Sequence, residues 1–64
     1  MKQMSIKALR HNKGLTQATF AKAVGVSRKT AGQWERGESV PMSDKIPAIC
    51  SALDVSYDEI RWGT

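Results

Sequence analysis

The sequence predicts an all-α fold, a compact bundle of five short helices, and three observations predict it. Apolar residues recur at helical spacing, as in Ile46, Ile49, Cys50 and Leu53 at i, i+3, i+4 and i+7. No run alternates apolar and polar residues as a half-buried strand would. Good N-cap residues stand at Thr16, Ser27 and Ser56, each at the head of such a segment. Sixty-four residues make a single domain, 1–64, with no room for a second core or a catalytic cleft.

The first helix is expected from about Met4 to His11, with Ile6 and Leu9 on one face, and it ends at Asn12–Lys13–Gly14, where Gly14 can turn left-handed. His11 falls in its last turn, where a cation suits the helix dipole, and reads as a surface residue rather than a ligand or base. Thr16 caps the second helix, and Leu15 and Phe20 pair across its start as a hydrophobic staple. Phe20, Ala21 and Val24 form its inner face, and Gly25 closes it. The third helix starts at Ser27 and stops at Gly37. Val24–Gly25–Val26 alone separates the two, which leaves only a tight turn between crossing helices. Residues 38–43 form a loop containing Pro41. The fourth helix begins near Asp44–Ile46, because Pro47 is tolerated only in a first turn. Cys50 on its apolar stripe reads as a buried small hydrophobe. The fifth helix is signalled by a capping box, Ser56 with Glu59, and a staple, Val55 with Ile60; it should end around Arg61–Trp62.

Composition removes several classes of function. One cysteine (Cys50) and one histidine cannot build a disulfide or a four-ligand zinc site. No apolar run approaches the roughly 20 residues of a membrane span, and the N-terminus lacks a signal-peptide core. A reduced, cytoplasmic setting is expected, with no cofactor, no metal and no small-molecule ligand. No paired carboxylates or nucleophile–base set suggests an enzyme. Charge is informative through its distribution: residues 1–36 carry eight Lys and Arg against Glu35 alone, whereas residues 37–64 carry two against five carboxylates. The first half is suited to a polyanion.

On the third helix, Arg28, Lys29, Gly32, Gln33 and Arg36 fall within one arc of roughly 140°, opposite Ala31 and Trp34. Arg and Lys can donate to guanine O6 and N7, and Gln can pair with adenine N6 and N7, so Arg28, Lys29 and Gln33 are candidate base readers. Gly32, at the centre of this face, is either a tolerated surface glycine or a point of close approach to the bases. Ser27 and Gln17, at two helix starts, suit phosphate oxygens. Arg36 and Lys45 are further candidate phosphate contacts.

The segment LTQATFAKAVGVSRKTAGQWERG resembles the helix-turn-helix of the Cro/C1-type, or XRE-like, repressor family, with the motif over 17–36. The resemblance rests on Leu15–Thr16–Gln17, Ala21 four residues before Gly25, Val26–Ser27–Arg28 and Trp34–Glu35–Arg36–Gly37. Pro41, Ala52–Leu53, Val55–Ser56 and Asp58–Glu59–Ile60 extend it over about residues 5–61. It implies a five-helix domain of the lambda-repressor-like type and a bacterial or phage-encoded, nucleoid-associated regulator. Such a regulator binds double-stranded DNA at a palindromic operator, usually as a two-fold homodimer. By position it makes Gln17 and Ser27 phosphate contacts and Arg28, Lys29 and Gln33 base readers. It also pairs Arg10 with Glu35, either as a stabilising ion pair or as one that holds Arg10 at a phosphate. This chain departs from the family at Phe20 for Leu and Ala31 for Ile or Val, a compensating change that should pack Phe20 over Ala31. Gly32 replaces a polar residue, and Asp54 replaces a helix-closing Gly.

The leading expectation is therefore a transcriptional repressor that reads an operator through the major groove with residues 27–36. The alternative is a protein-interaction module, such as an antitoxin or anti-repressor, that docks a partner through the acidic second half, where Tyr57 and Trp62 are candidate exposed aromatics. Ile60 and Trp62, with Met1 or Met4, are the candidate dimer contacts; Trp62 can equally fold back onto its own core.

Overall fold

A computed structural model of the chain describes residues 3–62. Four α-helices form: α1 (Ile6–Asn12), α2 (Gln17–Val24), α3 (Arg28–Arg36) and α4 (Ile46–Leu53). Two 3-10 turns, Ser43–Lys45 and Tyr57–Glu59, flank α4. Local chemistry accounts for most boundaries. Ser5 Oγ accepts the Ala8 amide and starts α1 two residues later than expected. Thr16 Oγ1 accepts the Thr19 amide while Thr19 Oγ1 accepts the Thr16 amide, a reciprocal cap made by two threonines. Ser27 Oγ accepts the Thr30 amide at the start of α3. Gly25 and Gly37 close α2 and α3 at φ of 87° and 75°, a region that costs glycine nothing. Pro47 lies in the first turn of α4, as its chemistry requires.

The expected fifth helix is a single 3-10 turn. Its capping box is present, with Glu59 Oε1 accepting from the Ser56 amide and hydroxyl. Propagation stops because Ile60 is extended, at φ −100° and ψ 130°, and forms an isolated parallel bridge with Met4. The Met4 amide donates to Glu59 O at 3.0 Å and the Arg61 amide to Met4 O at 2.9 Å. This bridge ties the segment before α1 to the segment after α4.

The core joins Ile6 and Leu9 of α1, Phe20, Ala21 and Val24 of α2, Ala31 and Trp34 of α3, Ile49 and Leu53 of α4, and Ile60. Phe20 and Ala31 are both fully buried here, and the Phe20 ring meets Trp34 edge-to-face at 6.5 Å. Cys50 is half-buried, and desolvation raises its thiol pKa. Ile60 is 0% exposed, which removes it as a dimer contact: its side chain is spent inside its own core. Trp62 folds back. Its ring stacks on Tyr57 at 5.4 Å, and Nε1 donates to Tyr57 O at 3.4 Å. Met4 is half-buried beside the bridge, and Met1 lies outside the described residues.

Candidate nucleic-acid interface

The interface is organised by one buried ion pair. Arg10 of α1 is 7% exposed, yet its donors are well used. Nε and Nη2 donate to Glu35 Oε2 and Oε1 at 2.7 and 3.2 Å, and Nη1 donates to Leu15 O at 2.8 Å. Glu35 Oε1 also accepts from Gln17 Nε2 at 3.3 Å. A buried pair of this kind is stable only when its remaining valences are filled, and here three helices fill them. The expected pairing is present, and it makes Arg10 an anchor linking α1 and the α1–α2 loop to α3. Phosphate could reach only the N–H groups that this network leaves over.

Around this anchor lies an open cleft of about 730 Å³, lined by Lys7, Arg10, His11, Thr16, Gln17 and Arg36, among others. Sequence reasoning does not place Lys7 and His11 at this cleft. Their i, i+4 spacing on α1 is the available signal, because it puts both on one face. The cleft thus brings the N-terminal turn of α2 together with cations from α1 and α3.

On α3, Arg28 and Lys29 are exposed, and among the described residues neither is paired with a carboxylate. Gln33 is half-buried and Ser27 is exposed beside Thr30, with the two hydroxyls 3.0 Å apart. Lys45 lies over the turn between α2 and α3: its Nζ is 4.0 Å from where a Cβ on Gly25 would sit. Arg36 is exposed and donates to Glu38 from Nε at 2.9 Å and from Nη2 at 3.4 Å. Those hydrogen bonds, and the charge of Arg36, lower the Glu38 pKa. Gly32 differs most from expectation. It is buried beneath Gln17 and Arg36, not open at the centre of the face, because the tip of each side chain leans across the gap.

Known proteins resemble this chain in sequence and fold. Residues 6–60 match the helix-turn-helix family HTH_3. The chain is 42% identical over 55 residues to YazB, an HTH-type transcriptional regulator of Bacillus subtilis, covering 86% of this chain and 80% of YazB. It is 41% identical over 56 residues to the antitoxin PezA of Streptococcus pneumoniae, covering 88% of this chain and 35% of PezA. With repressor protein C2 of Salmonella phage P22 the identity is 38% over 58 residues, covering 91% of this chain and 27% of C2. The chain therefore spans about a third or less of PezA and C2. A crystal structure of an HTH_3 family transcriptional regulator from Vibrio cholerae superimposes with a TM-score of 0.72 at 39% identity, covering 84% of this chain and 30% of that one. The caps, the two-helix unit and these matches agree: this chain belongs to the XRE-type HTH_3 helix-turn-helix family of regulators.

Proposed function

We propose that the chain is a sequence-specific double-stranded-DNA-binding unit of a transcriptional regulator, acting as a repressor. Helix α3 enters the major groove, with Arg28, Lys29 and Gln33 reading base edges. Ser27, Gln17, Arg36, Lys45 and the basic cleft hold phosphates, while Arg10 chiefly keeps α3 in register. The observation that carries this reading is the pair of exposed, unpaired cations at the start of α3, held at a fixed angle by the buried Arg10–Glu35 pair. Combined with the helix-turn-helix unit and the basic first half of the chain, such a cationic face fits a polyanion.

Selection of bound duplexes from random sequences tests it. A recurrent half-site containing a G·C pair is expected. Arg28→Ala should cost about 1–3 kcal/mol and relax discrimination at one position. An Arg28→Ala variant that discriminated as well as the parent would remove α3 as the reader.

Binding as a two-fold homodimer on a palindromic site is part of the proposal. With Ile60 buried, the contact falls to the exposed apolar residues Val40, Met42 and Tyr57, of which Val40 and Tyr57 line a small groove with Pro41, Ile46 and Trp62. The same patch, with the likeness to an antitoxin, favours a second reading as a protein-docking module. The two separate on salt: phosphate contacts give a steep fall of duplex affinity with salt, and a docking module gives none.

A further inference from the structure

Nothing in the backbone requires glycine at position 32. Among the described residues the glycines with positive φ are Gly14, Gly25 and Gly37, and Gly32 lies within α3, where alanine is the better helix former. What its missing side chain supplies is space. A Cβ there would lie 3.0 Å from Arg36 Nη1, 3.5 Å from Gln17 Nε2 and 3.6 Å from Gln17 Oε1. Two polar side chains from different helices therefore converge on one point of the reading helix. Each is also tethered by a hydrogen bond, Gln17 through Nε2 to Glu35 and Arg36 through Nε to Glu38.

We propose that Gly32 is a positioning residue: the recess it leaves seats the Arg36 guanidinium and the Gln17 carboxamide together against α3, and DNA meets these donors there instead of the Gly32 backbone. The seat follows from the geometry of the chain, and its consequence for DNA rests on the function proposed above. A methyl group at position 32 would act on Arg36 first. Its tip is the nearest atom, closer than ordinary van der Waals contact, and it is held only by a solvent-exposed ion pair. Gln17 is at ordinary contact distance and is held by the buried network. The guanidinium would swing outward, its grip on Glu38 would loosen, and the fold would not change.

The test uses Gly32→Ala, with Gly32→Ser as a second variant. Both should fold, and Gly32→Ala should melt no lower than the parent. A carboxyl titration followed by NMR should show the Glu38 pKa rising back toward the ordinary carboxylate value as Arg36 moves away. Binding to the duplex recovered by selection should weaken by about fivefold, and its salt slope should fall by about 0.9, the signature of one lost phosphate contact. In an Arg36→Ala background, Gly32→Ala should change binding no further. An unaltered Glu38 titration overturns the proposal, as does an equal binding loss in the Arg36→Ala background. Unfolding of both variants would make Gly32 a packing residue and overturn it as well. Should the parent bind no duplex at all, the DNA-binding reading fails, and the Glu38 titration still decides whether the seat exists.

Discussion

At the scale of single residues, Arg10 and Glu35 contribute most to the site and are the most sensitive to change. Both side chains are nearly buried, 8% and 4% exposed, so each is the charged partner that replaces most of the other's hydration. Removing one leaves an uncompensated buried charge, a loss of about 3–5 kcal/mol. Domains of this size are marginally stable, so Glu35→Ala is expected to be largely unfolded at 37 °C by circular dichroism. Replacing both partners with apolar residues of similar size, Arg10→Met with Glu35→Leu, should recover much of that stability. The double variant should nonetheless bind DNA more weakly than the parent, since Gln17 loses its acceptor. The family resemblance implied the pairing, but not the degree of burial. It depends on the α1–α2 loop bringing Leu15 O to the guanidinium, a contact that no spacing rule contains.

At the scale of elements, two helix ends carry separate consequences. Asp54 closes α4 at φ 57° and ψ 47°, a left-handed conformation that costs an ordinary residue about 1–2 kcal/mol, less for aspartate, and glycine nothing. Its contact with Lys13 is 3.8 Å long between exposed groups and is worth little. Asp54→Gly should therefore raise the melting temperature by a few degrees, about 4–8 °C for each kcal/mol gained. The Ser56–Glu59 capping box has a pH signature. The Ser56 amide, then its hydroxyl, lower the Glu59 pKa. A carboxyl with a depressed folded-state pKa stabilises above its unfolded pKa and loses that contribution as pH falls through the folded value. Thermal stability should thus decline on acidification below the ordinary glutamate range, and Glu59→Gln should flatten that part of the profile. This element also shows where local signals stop. Ser56, Glu59, Val55 and Ile60 spell a helix start correctly, but the length of a helix is set by the partners its later residues find. Ile60 pairs with Met4, near the opposite end of the chain, and a β-branched residue fully buried beside a bridge does not wind into a second turn.

At the scale of the whole molecule, the asymmetry of charge and the asymmetry of apolar surface lie in different parts of the chain. The basic residues of the first 36 positions supply the cleft and the exposed start of α3. The exposed apolar residues Val40, Met42 and Tyr57 belong to the later segment. This separation suits a protein that meets a polyanion with one part and a second copy with another. Under the proposed homodimer, Met42→Glu should reduce self-association in sedimentation measurements without lowering the melting temperature, because Met42 is 76% exposed and supports no core. An unchanged association constant would exclude this patch as the contact. Among the described residues no helix is long and apolar enough to cross a membrane.

The sequence by itself determined what is local: the caps at Thr16, Ser27 and Ser56, the left-handed closures at Gly25 and Gly37, the placement of Pro47, and the inward residues of α2 and α3. Each of these depends on neighbours within four positions, where one backbone hydrogen bond or one helical turn settles the outcome. Only the tertiary structure decided what depends on distant segments meeting: the burial of Ile60, the folding back of Trp62, the joining of Lys7 and His11 to the cleft, and the covering of Gly32. In the last case Gly32 does lie on the outward face of α3, as its helical position requires. That face is nevertheless closed at its centre, because Gln17 reaches it from another helix and a helical wheel shows only one helix at a time.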